Sequence, residues 1–400
     1  MRRSLARIAL VAAALTLIGA TADSKHEFDL PTYAGAYQPQ NADERGMWMV
    51  DDESERVTRD SRLIIRDEAL NSYVRSVLCR AVGDDRCGGV RIYILRVPIF
   101  NASMSPNGTM RVYSGLLLRM RNEAELASIL GHEFAHFELR HSLEDFRRRR
   151  SSSDLLAWTA VMGALAASYG SGGGQSYGDY RISVYGALAR FNRDQERAAD
   201  IRGFGYMAAA GYRPSAASEV WRSAMNEADA TSAGRALRSR RYDGVAFFAS
   251  HPTDLERADT LSILANRVSG GEFEGRSAYQ AAMAPWIDQF LADQIKLNDF
   301  SGSEYLITRL GSEGWTAALL FARGELYRLR ANPRDLPNAV DFYRQALELN
   351  SELSGAYRGM GLSLMRMDRK TEAASVLARY LQLKPDAPDA EMIRSLVAPQ

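Results

Sequence analysis

Apolar residues recur along this chain every three to four positions over most of its length, and alternate in one short stretch. From Asp67, the residues Leu70, Tyr73, Val74, Val77, Leu78 and Ala81 mark one face of a helix. Val90–Val97 (VRIYILRV) alternates and is β-branched, so it reads as a strand. Asn101–Gly108 carries turn chemistry, and Met110–Ser114 reads as a returning strand. Asn122 with Glu125 forms a capping box, opening a helix that carries Leu126, Ile129 and Leu130 on one face and runs to about His141. Arg147–Arg150 and Ser151–Ser153 break that pattern. A further helix covers about Ser183–Ala210 and stops at Gly211, with Pro214 beyond. Ser215 starts another. Thr253-Asp254-Leu255-Glu256 opens one that runs to about Val268, and Ser269-Gly270-Gly271 reads as a linker. The polar stretch from Asp23 to about Arg66, with Pro31 and Pro39, is expected to wrap over the surface. The fold class is mainly α with a small β-sheet.

Two segments depart from this alternation. Leu155–Tyr169 is almost wholly apolar but too short to span a bilayer. With its flanks it forms an insertion hairpin at about 147–182, read either as a buried or lid-like element or as a peripheral membrane contact. Beyond the linker, Tyr357, Gly361, Leu364, Ala373, Leu377, Tyr380 and Pro385 occupy tetratricopeptide signature positions. Leu320, Gly324, Tyr327, Ala339, Tyr343, Ala346 and Ser351 do the same once extra residues are allowed around 332–337. A solenoid needs about three such layers, and 278–310 is expected to supply the missing one. The plain alternative is a helical bundle.

At the N-terminus, Arg2, Arg3 and Arg7 precede the apolar stretch Ile8–Ile18 and the small-residue pattern Ala20-Thr21-Ala22. Residues 1–22 therefore read as a cleaved signal peptide, placing the mature chain in an exported, periplasmic compartment. Export favours pairing Cys79 with Cys87, the chain's 2 cysteines, as a structural disulfide. Composition adds little: 50 basic and 49 acidic residues give a net charge of +1. No strong field exists to hold a polyanion, so nucleic acid is not an expected partner.

The chemistry concentrates in Gly131-His132-Glu133-Phe134-Ala135-His136, followed by His141, in a chain with 5 histidines. His132 and His136 are one helical turn apart, so two imidazoles can share one tetrahedral Zn²⁺, with Glu133 beside it as the proton acceptor. His141 falls about 140° further round an ideal helix than His136, so it faces elsewhere. It is expected behind the ligands or at the helix end. A metzincin would need glycine at 139 and histidine at 142, where Leu139 and Ser142 stand. The expected third ligand is Glu196 in NRDQERAAD, with Asp200 on the same face accepting the remote N–H of His132. His251, in Ser250-His251-Pro252, and Arg257 are candidates to stabilise the oxyanion; His251 is equally a candidate to hold the enzyme inactive by taking the open metal position.

These motifs, with Asn101-Ala102, Val112–Leu117 and Ala210-Gly211-Tyr212 followed by Pro214, resemble the HtpX-like and CAAX-prenyl-protease-like zinc metallopeptidases. Export and the C-terminal repeats make the chain similar to their periplasmic BepA-like branch. The resemblance implies a zincin-type, gluzincin-like domain over 23–270 with one Zn²⁺ per chain, an edge strand that aligns an extended peptide, and a tetratricopeptide-like helical domain over 271–400. It further implies hydrolysis of misfolded or stalled envelope and outer-membrane proteins, in protein quality control. The repeats would then dock polypeptide substrates or assembly machinery. The competing class is a non-proteolytic chaperone or assembly scaffold on a peptidase fold.

Overall fold

The computed structural model describes residues 32–151, 193–239, 254–330 and 332–397. The signal peptide, the 155–169 segment, the start of the helix expected from Ser183, and His251 lie outside the described residues.

Helix α1 (Ala42–Asp60) occupies part of the stretch expected to wrap over the surface. It is capped by Asn41, whose side chain accepts the Glu44 N–H. Its helical character is hidden in the sequence because it meets the sheet through polar groups. Glu55 receives Arg91 (2.5 and 2.7 Å) and Tyr93 (2.8 Å), while Ser54 and Thr58 receive the buried Arg111 (2.9 and 3.1 Å). Helix α2 (Glu68–Val82) follows its N-cap Asp67 and buries Leu70, Val74, Val77, Leu78 and Ala81. A disulfide joins its Cys79 to Cys87 in the short helix α3 (Asp84–Cys87).

Three strands make one sheet: β1 (Arg91–Leu95), β2 (Ala102–Met104) and β3 (Thr109–Tyr113), in the order β1-β3-β2. The segment expected to return antiparallel to β1 in fact pairs with it in parallel. The hairpin lies one step later: β2, inside the stretch read as pure turn, runs antiparallel to β3 with Ser103 opposite Arg111. On β3, Met110 and Val112 enter the main core while Arg111 faces α1, the period-two alternation of a strand covered on both sides.

Helix α4 (Ser114–Arg119) leads into α5 (Glu123–Glu138), capped by Asn122, which accepts the Glu125 N–H at 2.9 Å. The reciprocal half of the box differs from the motif: Glu125 reaches back to the Arg121 N–H (2.8 Å), one residue earlier. The helix ends at Glu138, short of His141. Helix α6 (His141–Ser151) then contains the arginine run expected to break the pattern; arginine is a good helix former, so only the apolar face stops there. Helices α7 (Arg193–Ala209), α8 (Ala216–Gly234) and α9 (Asp254–Ala265) pack around α5.

The linker at 269–271 does not interrupt the packing. Tyr212 bridges to Phe273, and helices α10 (Arg276–Met283), α11 (Ile287–Ile295) and α12 (Phe300–Gly311) place Tyr279, Phe290, Leu291, Leu306 and Ile307 in the same apolar cluster as α2 and α5. Beyond them, α13 (Ala317–Arg330), α14 (Leu336–Leu349), α15 (Ser354–Arg366), α16 (Lys370–Leu383) and α17 (Ala390–Val397) pack successively. Ala339 and Ala373 are fully buried between them. No helix among the described residues is long and apolar enough to cross a membrane.

Candidate metal centre

The HExxH helix α5 is buried along almost its whole length, so its histidines project into an enclosed space rather than solvent. His132 and His136, one turn apart, bring their Nε2 atoms within 3.0 Å, with 4% and 1% of each residue exposed. Helix α7 crosses α5 and delivers Glu196, whose Oε1 lies 3.5 Å from His136 Nε2 and Oε2 3.6 Å from His132 Nε2. Two donors held about 2.05 Å from a tetrahedral ion are about 3.3 Å apart, so the three observed separations bracket what a shared cation requires.

The remote nitrogens explain why Nε2 is the metal-facing atom. His132 Nδ1 lies 2.9 Å from Asp200 Oδ1, and a carboxylate only accepts, so Nδ1 carries the proton and Nε2 a lone pair. His136 Nδ1 lies 2.9 Å from Nδ1 of His141, which is 4% exposed. Burial holds His141 below the ordinary histidine pKa against the pull of Glu144 and Glu196, which favours a neutral ring, and a neutral imidazole can take the His136 Nδ1 proton on its own Nδ1 lone pair. Two imidazole lone pairs and a carboxylate then face one another, an arrangement that a cation relieves. Charge agrees: Glu133, Glu196 and Asp200 when ionised, against Arg257, leave these four groups two negative charges in excess, the complement of a dication. The residues fit a divalent ion.

Arg257, from α9, is 3% exposed. It donates to both Asp200 oxygens (2.9 and 2.7 Å), places Nη1 3.5 Å from Glu196 Oε2, and stacks 3.6 Å from the Trp221 ring centroid. Its Nη2 also lies within hydrogen-bond distance of both His132 nitrogens, at 3.0 and 3.1 Å. The structure thus puts this oxyanion candidate against Asp200, ordering the carboxylates behind the donors. Glu133 follows His132 on α5 and is 5% exposed. Cys79 and Cys87 are joined to each other, away from the donor cluster.

Sequence reasoning missed the contact that sets the α5–α7 distance. At Gly203, on α7, an added Cβ would meet the His132 backbone nitrogen at 2.7 Å and its Cα at 2.8 Å. Glycine there lets α7 lie directly on the HExxH helix. The legible signal was an interior helical glycine three residues after Asp200. Also missed was Glu138, which ties the end of α5 to Arg86 (3.3 Å) and to Tyr206 of α7.

Parts of this sequence are similar to known proteins. The profile of "Peptidase family M48" matches residues 65–265, just over half of the 400-residue chain. The chain is 30% identical over 187 residues to the mitochondrial metalloendopeptidase OMA1 of Schizosaccharomyces pombe, covering 46% of this chain and 50% of the relative. It is 36% identical over 101 residues to metalloprotease YcaL of Escherichia coli, covering 25% and 37%. To the beta-barrel assembly-enhancing protease of Yersinia pestis it is 26% identical over 167 residues, covering 40% and 34%. The chain spans about half or less of the length of these curated relatives. With a profile covering half the chain and the donor helices inside it, the chain belongs to peptidase family M48.

Proposed function

We propose that this chain is a zinc metalloendopeptidase that hydrolyses peptide bonds in polypeptide substrates. The observation that carries the reading is the convergence of His132, His136 and Glu196, each with a buried donor atom and, for the two imidazoles, a hydrogen-bonded remote nitrogen. A pair of histidines and one glutamate is the donor set of catalytic zinc sites that keep an open position. A zinc ion held there supplies Lewis acidity toward a water molecule and the scissile carbonyl. Glu133 takes the proton of the attacking water on its carboxylate and returns it to the leaving amine nitrogen. Asp200 and His141 hold the two imidazoles in the Nδ1–H tautomer, and Arg257 keeps Asp200 and Glu196 from repelling each other.

The proposal extends to an exported, periplasmic protein that acts on misfolded or stalled envelope proteins. The signal-peptide pattern in the sequence and the likeness to a protein named a beta-barrel assembly-enhancing protease support it. In this reading α13–α17 form tetratricopeptide-like pairs that dock substrates or assembly machinery. The decisive experiment measures bound metal and casein hydrolysis for wild type and Glu133→Gln. One zinc per chain in both, with turnover in wild type only, is expected. Equal turnover removes the mechanism, and a zinc-loaded wild type that never cleaves unfolded casein favours the scaffold reading instead.

A further inference from the structure

Helix α6 begins at His141, the partner of His136, and the segment before and at the start of α1 grips it from the far side. Arg140, Leu143 and Arg147 stand at i, i+3 and i+7, one face of α6 and its entry. Each faces the N-terminal segment. The Arg140 guanidinium lies 4.5 Å from the centre of the Tyr37 ring. Arg147 donates to Glu44 Oε1 through Nη2 (2.6 Å) and Nε (3.1 Å), and to the Tyr37 hydroxyl (3.1 Å). The buried Leu143 borders one narrow gap with Tyr37, Trp48 and His136.

The grip is itself fixed. Glu44 is buried in the first turn of α1, and both its oxygens are taken. Oε2 accepts the Tyr37 hydroxyl (2.7 Å) and the Gln40 N–H (2.8 Å), while Oε1 accepts the Asn41 amide (3.1 Å) as well as Arg147. The Tyr37 ring lies 5.9 Å from Trp48 of the same helix. On the other side of α6, His141 meets His136, and Gln195 of α7 donates to Glu144 (3.1 Å). Thus α6 is held between the N-terminal segment and the two helices that carry the metal donors. At its entry Arg140 has a left-handed backbone (φ 62°), unfavourable for a residue with a side chain, and the stacking on Tyr37 works against that strain. Tyr37, Glu44 and Trp48 all precede the 65–265 span matched by the family profile.

Resting on the zinc reading above, we propose that Tyr37 and Glu44 are positioning residues of the metal centre. Through Arg140 and Arg147 they fix α6 so that the His141 ring stays against His136, and zinc binding weakens when they are lost although no donor is touched. A hydrogen bond between two imidazoles is directional, and roughly 0.7 Å of extra separation removes it. His141 therefore orients His136 only while its own helix is held in place.

The test is the zinc affinity of the full chain, measured by chelator competition in two backgrounds. Arg147 has 56% of its side chain exposed and can be replaced without opening the core, so Arg147→Met is the first variant. Tyr37→Leu is the second; it leaves the Glu44–Arg147 pair intact and carries the test if the first fails to fold. Each is expected to lower affinity about three- to tenfold, less than the loss of His141 itself, and Arg147→Lys should recover part of it. In a His141→Leu background the same substitutions should change affinity no further, because the coupling runs through that ring. Circular dichroism and thermal melts report whether each variant is folded. Unchanged affinity in a folded variant or in His141→Leu itself, or an equal loss in both backgrounds, overturns the positioning role and leaves the zinc reading intact. A wild-type chain that binds no zinc overturns both.

Discussion

His141 Nδ1 lies 2.9 Å from Nδ1 of His136, although an uninterrupted helix would point the two rings apart. The helix does not continue. It ends at Glu138, and Arg140 takes a left-handed backbone conformation (φ 62°) that swings the chain so the His141 ring returns beneath its neighbour. Left-handed backbone is uncommon for a residue with a side chain, so the turn is held by the contact it enables. His141→Leu is expected to lower zinc affinity about 10- to 100-fold, the usual effect of deleting a partner of a ligating imidazole. His141→Asn, which keeps an acceptor near the same place, should retain more of it. Chelator competition measures both, and equal affinities would show that the contact does not orient His136.

Gly203 should not tolerate a side chain. Alanine there would push a methyl into the His132 backbone, forcing α5 and α7 apart, with a stability loss of about 1–3 kcal/mol. Because the crossing sets the distance from Glu196 to the imidazoles, zinc affinity should fall with it. Gly46, on α1 with open space around its Cβ direction, is the control: Gly46→Ala should stabilise by up to about 1 kcal/mol, since alanine favours helix. Denaturant titration of both variants decides.

Removing the Arg257 guanidinium leaves Asp200 buried without its bidentate partner. Arg257→Met is expected to destabilise the chain by about 3–5 kcal/mol. Arg257→Lys should recover only part of this, because one ammonium replaces neither the fork to Asp200 nor the stacking on Trp221. A lysine variant as stable as wild type would refute the bidentate role.

Stability should fall in acid. The carboxyls of Glu44 and Glu55 sit at about 2 despite burial, because hydrogen bonds from the Gln40 N–H, Arg147 and Tyr37, and from Arg91, Tyr93 and Thr109, favour their charged forms; Arg213 does the same for Glu219. Below about pH 4.5 the unfolded chain takes up protons that these native carboxylates refuse. Their stabilisation is therefore complete above that pH and is lost progressively toward pH 2. Thermal melts between pH 6 and 2 should show the midpoint dropping through this window, and Glu44→Gln should flatten part of the slope.

Asp51 acts in the opposite direction. Burial raises its carboxyl to about 7 against the nearby Arg111, and its Oδ2 has no hydrogen-bond partner among the described residues. The native state then holds a proton that the unfolded chain has released above about pH 4, so this group erodes stability as pH climbs from 4 to 7. Asp51→Asn is expected to raise the melting temperature at pH 8 and change it little at pH 4.

The helical phase of α2, the cap of α5 and the HExxH spacing are local properties, so residues within one or two turns of each other reveal them. Each depends on contacts along a single element. Glu196 and Asp200 were legible for the same reason, as a pair on one helical face. The parallel pairing of β1 with β3 was not, because a parallel partner is chosen by how the connection packs, and the antiparallel β2 hid inside turn-rich sequence. Nor was α1, whose partners are the hydroxyls and carboxylates that meet Arg91, Tyr93 and Arg111.

The amino-acid order alone determined which side chains offer nitrogen and oxygen to a metal and which helices carry them, since donor chemistry and helical period are written residue by residue. Tertiary structure decided how far apart those donors stand, through the close approach at Gly203. It also decided which groups meet the remote nitrogen of each ring, Asp200 for His132 and His141 for His136. Those choices rest on distances between segments far apart along the chain, and only packing sets such distances.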